Sequence, residues 1–213
     1  SLASIITALN RVIDTATIIR GIEAAFTNGI PGHVDAAGKW VDAIMNPTAK
    51  QLNAEATRLS GMLSKSDTLI NMPLALNFAF ATVLVPTIAG ALAVGNTKEA
   101  SSKASYSFLI SIILILPCAI GYVALAKQIY KVIYFNAPYG YDLLAWTAVS
   151  LLFSALSQTM SGILQGIGKV YVPAIGLLVG CAIKLILNLV LIRIPAVNIY
   201  GAVISSIVCQ FVA

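Results

Sequence analysis

Tyr106–Ala126, YSFLISIILILPCAIGYVALA, runs without a single charged side chain. A helix crosses the hydrocarbon core of a bilayer in about 20 predominantly apolar residues, so this stretch alone predicts a membrane span. Five more apolar segments flank it, at about 2–26, 68–94, 143–166, 171–194 and 200–213, the last of them truncated. All are too long for strands and lack the period-two alternation of a membrane barrel. The expected fold class is therefore all-α, a polytopic transmembrane helical bundle with no sheet. Ser1 opens into an apolar stretch and Ala213 closes inside another, so the reading expects a piece of a longer protein.

Composition agrees. Of 213 residues 59% are hydrophobic and 10% charged, against about 25% charged in an average soluble domain. A bilayer needs no charged surface, so lipid is the first partner. The formal charge of +5 is spread along the chain and forms no basic stripe of the kind nucleic acid requires. Cys118, Cys181 and Cys209 each lie inside an apolar segment and read as small buried hydrophobes.

The exception is the stretch 27–67. There Lys39, Lys50, Arg58 and Lys65 balance Asp35, Asp42, Glu55 and Asp67. Asn46-Pro47 reads as a helix start. Leu52, Leu59, Met62 and Leu63 give a partial apolar stripe. A polar extramembrane loop is expected, the least buried part of the chain, with a short helix near Pro47–Leu63 lying on the membrane surface.

Charges inside membrane segments are costly and mark a pathway or a site. Lys184 sits near the middle of 171–194, too deep to reach either interface easily, and Asn188 shares its helix face one turn on. The pair reads either as a cavity-facing cation for an anionic cargo or as part of a structural ion pair. The first segment carries Arg11, Asp14, Arg20 and Glu23, so part of it must line water or protein. Gln158 stands among Ser154, Ser157, Thr159 and Ser161 as interhelical glue or cavity lining. His33 is the one histidine and has no companion ligand, so no metal site is expected. No Ser-His-acid set or Walker loop is present, and the chain reads as no enzyme, with no catalytic residues. Lys98, Lys103 and Lys169 at one set of turns match Lys127, Lys131 and Arg193 at the other, which leaves orientation open.

Several runs resemble the multidrug/oligosaccharidyl-lipid/polysaccharide exporter superfamily, in its stage V sporulation protein B and polysaccharide-biosynthesis flippase branch. They are Ile13–Arg20 (IDTATIIR), Thr68–Leu76 (TLINMPLAL) continuing into Leu84–Ala89, Ile163–Lys169 (ILQGIGK), and Asn188–Ile192 followed by Ile199–Ile204. The resemblance implies two bundles of about six helices around a central cavity, of which this chain is the C-terminal one and an N-terminal bundle is missing. It also implies a multi-pass location in the bacterial cytoplasmic membrane, with Lys98, Lys103 and Lys169 on the cytoplasmic side. The expected function is a flippase moving an anionic lipid-linked oligosaccharide or cell-wall precursor by alternating access. Arg20 and Lys184 would hold phosphate, Asp14 would be a coupling or pairing carboxylate, and Asn188 and Gln158 would join the cavity. The alternative is a cation-coupled multidrug exporter of the same superfamily. No cofactor is expected beyond Na⁺ or H⁺ as a coupling ion.

Overall fold

A computed structural model describes residues 17–34, 40–135, 139–194, 197 and 199–212. Residues 17–25 are helical (α1). They are followed by α2 (Ala49–Ala93), α3 (Thr97–Ile133), α4 (Tyr141–Gly166), α5 (Tyr171–Leu191) and α6 (Ile199–Val212). Helices α2 to α5 are each long and apolar enough to cross a membrane. The fold is an all-α membrane bundle. Helix α4 packs against α2, α3 and α6, and α5 pairs with α6.

The helices are amphipathic in the inverted sense that lipid demands. The buried residues of α3 include Ser107, Ser111, Ala119 and Ala126, whereas Leu109, Ile110, Ile113, Ile120 and Val123 are exposed. Large apolar side chains face outward because lipid tails solvate them as well as a protein core does. Small and polar ones face inward, where close approach and hydrogen bonding hold helices together. The contact between α2 and α4 shows this at atomic scale. A Cβ added at Gly162 would stand 2.7 Å from the backbone oxygen of Ala81, and one at Gly166 would stand 2.9 Å from Ile88 Cβ. One turn apart on α4, these glycines let two backbones touch.

The stretch expected as a loop with a separate surface helix is built differently. Gly29–Ile30 (β1) pairs antiparallel with Ile44–Met45 (β4), and His33–Val34 (β2) with Trp40–Val41 (β3). The two pairs skip two residues on each strand and keep one register, so they form a single interrupted hairpin. Pro31, in the gap, has no N–H to donate to a ladder. The expectation of no strands holds for the spans but not for this arm. Its β-formers Ile30, Val41 and Ile44 alternate too briefly to stand out in the sequence. Nor does Asn46-Pro47 begin the helix. Asn46 takes a positive φ of 52° and turns the chain, and the helix starts at Ala49 behind Thr48. There Gln51 Oε1 accepts from the Thr48 N–H at 2.8 Å and from its hydroxyl at 2.9 Å. At the other end of the span Asn96 caps α3, its Oδ1 accepting from the Glu99 N–H at 3.0 Å. Lys103, bonded to Glu99 at 2.8 Å, holds that exposed carboxyl below the usual carboxylate range.

Helix α2 then runs for 45 residues without a break, about 68 Å at 1.5 Å per residue, more than twice the hydrocarbon thickness. The expected surface helix is its first third. Part of 27–67 is nonetheless packed: Ile30, Ala56 and Leu59 share a core with Ile18, Ile22, Phe26, Leu143, Ile192 and Val203. The spans leave more apolar surface open because lipid covers it. The hairpin meets α2 where His33 approaches Glu55. Glu55 is buried and receives two bonds from Arg58, at 2.8 and 2.5 Å, with His33 Nε2 3.5 Å from its other side.

Two outcomes follow from these contacts. Gly162→Leu should lower thermal stability in detergent by the equivalent of about 1–3 kcal/mol, because the added atoms meet backbone rather than a movable side chain. An unchanged melting temperature would show that the α2–α4 contact can open without cost. Arg58→Met should leave Glu55 buried with only His33 beside it. Limited proteolysis should then cut 29–45 faster while the spans stay protected, and an unchanged cleavage rate would show that the His33–Glu55 contact does not depend on Arg58.

Candidate functional site

Buried polar side chains gather in two layers. The first joins α1, α5 and α6. Lys184 is buried in α5, and Asn188, one turn on, is wholly buried. Asn188 Nδ2 donates to Thr17 Oγ1 of α1 at 3.2 Å. Its Oδ1 accepts from the Ser205 hydroxyl of α6. That hydroxyl also lies 2.9 Å from the Ala202 carbonyl, a turn back along its own helix. One carboxamide therefore ties three helices, and a donor and an acceptor on the same group are both used. The glycines make the room. A Cβ at Gly180 would meet Cys209 at 2.8 Å, and one at Gly21 would meet Ile192 at 2.7 Å, so α5 lies against α6 and α1 at close range.

The second layer joins α2, α3 and α4. Asn77 of α2 is wholly buried. Its Nδ2 donates to the Ala155 carbonyl at 3.0 Å and to Gln158 Oε1 at 3.1 Å, both on α4. Thr159 Oγ1 lies 2.7 Å from Ser111 Oγ of α3. Asn77 Oδ1 is buried with no hydrogen-bond partner among the described residues. Toward the hairpin end, α3 offers tyrosine hydroxyls to α2. Tyr122 donates to the Leu69 carbonyl at 2.7 Å, Tyr134 to the Lys65 carbonyl at 3.1 Å, and Tyr130 shares a proton with Ser66 at 2.8 Å.

The residues expected to form one cavity thus fall in different places. Lys184 and Asn188 lie together. Gln158 belongs to the other layer, half-buried and engaged by Asn77. Arg20 is exposed on α1. Asp14 lies outside the described residues. Thr17, Ser205 and Asn77 were not singled out in the sequence. Asn77 carried a signal, since it is an amide in an apolar span one turn after Pro73, whereas a single Thr or Ser in a membrane helix carries none. Chemically, the first layer offers a buried ammonium beside a carboxamide. The second offers only neutral oxygens and amide N–H groups. Among the described residues no His, Cys, Asp and Glu cluster could hold a metal.

Comparison with known proteins agrees with this architecture. The MatE family model matches residues 40–190. The chain is 31% identical over 143 residues to the lipid II flippase MurJ of Bacillus subtilis (strain 168), covering 65% of this chain and 26% of that protein. It is 28% identical over 156 residues to the uncharacterized membrane protein YabM of the same organism, covering 73% of this chain and 29% of that one. The chain therefore spans little more than a quarter of either relative. Among solved structures, an inward-facing multidrug resistance MATE family transporter of the MOP superfamily superposes with a TM-score of 0.57 at 15% identity, over 71% of this chain and 37% of the other. That likeness is one of fold. With the family model covering most of the described spans, this multi-pass membrane chain belongs to the MatE family.

Proposed function

We propose that this chain is one bundle of a membrane transporter that flips an anionic lipid-linked oligosaccharide or cell-wall precursor by alternating access. One observation carries the reading: the buried Lys184 ammonium lies mid-helix beside Asn188, in a layer joining three helices. A cation at this depth costs at least about 2.5–3.5 kcal/mol on insertion scales, so it is retained for a use. A lipid carrier bearing a pyrophosphate supplies an anion that a lysine or an exposed arginine such as Arg20 would meet. Asp14 would serve as coupling or pairing carboxylate, and a second bundle would complete the cavity. The likeness to a lipid II flippase supports the same class of cargo. A cation-coupled multidrug exporter is the rival, and its cavity would favour acidic and aromatic walls over a lysine.

The test uses the full-length protein in proteoliposomes with a fluorescent lipid-linked saccharide. Lys184→Ala should abolish flipping with little change in melting temperature, and Lys184→Arg should keep part of it, since the charge survives and the shape does not. Normal flipping by a stable Ala variant would eliminate the cargo-binding role. A large loss of stability instead would assign Lys184 to a structural pair. Asn188→Leu is the contrasting case. It should cost about 1–2 kcal/mol of stability by removing the bonds that tie α5 to Thr17 and Ser205, and an unchanged melt would show that those two bonds add nothing to the packing of the three helices.

A further inference from the structure

Helix α2 contains Pro73. A proline has no N–H, so the carbonyl four residues earlier loses its helical partner, and here that carbonyl belongs to Leu69. Leu69 and Pro73 are both buried, and inside a membrane no water fills the gap. The carbonyl is met from another helix, by the Tyr122 hydroxyl of α3 at 2.7 Å. The polar ties of α2 also change partner across the proline. Before it, the Lys65 carbonyl, Ser66 and the Leu69 carbonyl all go to tyrosines of α3. After it, Asn77 goes to α4, and Gly162 brings the α4 backbone against Ala81.

We propose that the Tyr122 hydroxyl is the lock of a hinge in α2. It holds the carbonyl that Pro73 frees, and its release lets the part of α2 before the proline change its angle to the part after it. The proposal rests on the reading of the chain as part of a transporter that alternates between states. Across the proline the side-chain hydrogen bonds of α2 pass from α3 to α4, while its apolar contacts reach both helices on either side of it. A second observation points the same way. Asn77 Oδ1, one turn past the proline, is a buried acceptor with no hydrogen-bond partner among the described residues. A hydrogen-bond pattern incomplete in one state fits an element that has a second arrangement. The lever is long: a change of about 20° at the proline swings the Thr57 end of α2 by about 8 Å at 1.5 Å rise per residue. Tyr122 acts through the helix and touches no cargo, so it is a positioning residue.

A double-mutant cycle on the full-length protein tests it. Tyr122→Phe removes only the hydroxyl. Pro73→Ala restores an N–H for the Leu69 carbonyl and should make the tyrosine dispensable. Spin labels at the exposed Thr57 of α2 and Val132 of α3 report the angle, and amide hydrogen exchange over residues 66–76 reports opening. With Pro73 present, Tyr122→Phe should broaden or lengthen the label distance and speed exchange about three- to tenfold, the effect of losing one interhelical hydrogen bond. With Pro73→Ala, the same change should move neither readout. Pro73→Ala alone should narrow the distance distribution and slow flipping while leaving the fold intact. Equal effects of Tyr122→Phe in the two backgrounds would overturn the lock, and so would no effect in either. The label and exchange readouts need no cargo, so a failed flipping assay with intact coupling would count against the proposed cargo and not against the hinge.

Discussion

Hydrocarbon accepts no hydrogen bonds, and every polar group carried into it must find its partner within the protein. That constraint decides which helices meet here. Asn188 has one group to give and one to receive, and it uses them on two helices other than its own. Asn77 reaches α4, and the carbonyl left bare by Pro73 is reached from α3. In water each of these groups could turn outward. In lipid their positions along the helices select which neighbour can sit beside which, and at what height.

Polar pairing does not supply most of the cohesion. Interhelical hydrogen bonds in membranes are worth on average about 0.6 kcal/mol. The close contacts at Gly162, Gly166, Gly180 and Gly21 bring long runs of main chain within van der Waals reach, and the sum of such contacts is larger. The division of labour is physical. Small residues provide the area, and amides, hydroxyls and a lysine fix the register along it. At the hairpin end the balance shifts toward ordinary hydrophobic burial, with Ile22, Phe26, Ile30, Ala56 and Leu59 in one cluster. There large aliphatic and aromatic side chains are buried together, as in a soluble core.

Much of this was legible in the sequence. Apolar runs such as 106–126 and 143–166 located the spans because the bilayer imposes a length. Lys184 and Asn188 stood out because polarity is rare at that depth. The hidden parts share one cause, which is dependence on a neighbour. The hairpin strands are two residues long, shorter than any periodicity can register. The join between the stripe Leu52–Leu63 and the span at Thr68 looked like a boundary because Ser64-Lys65-Ser66-Asp67 is polar. Those residues are compatible with a helix, and Ser66 and the Lys65 carbonyl are used by tyrosines of α3. Gln158 was grouped with Lys184 by polarity alone. Only the packing of α4 against α2 reveals that it serves a different layer.

The contact between α2 and α4 skips a helix in chain order, and this bears on how the protein is made. A ribosome delivers α2 and α3 to the membrane before α4 exists. Until then Asn77 has no Ala155 carbonyl to meet, and the strip of α2 around Ala81 lies bare to lipid. Until α3 and much of α4 are translated, the Asn77 amide must be met by some partner other than the one it has in the folded protein. Pausing, truncation or slow insertion at that stage leaves α2 open to whatever other helix can offer a carbonyl.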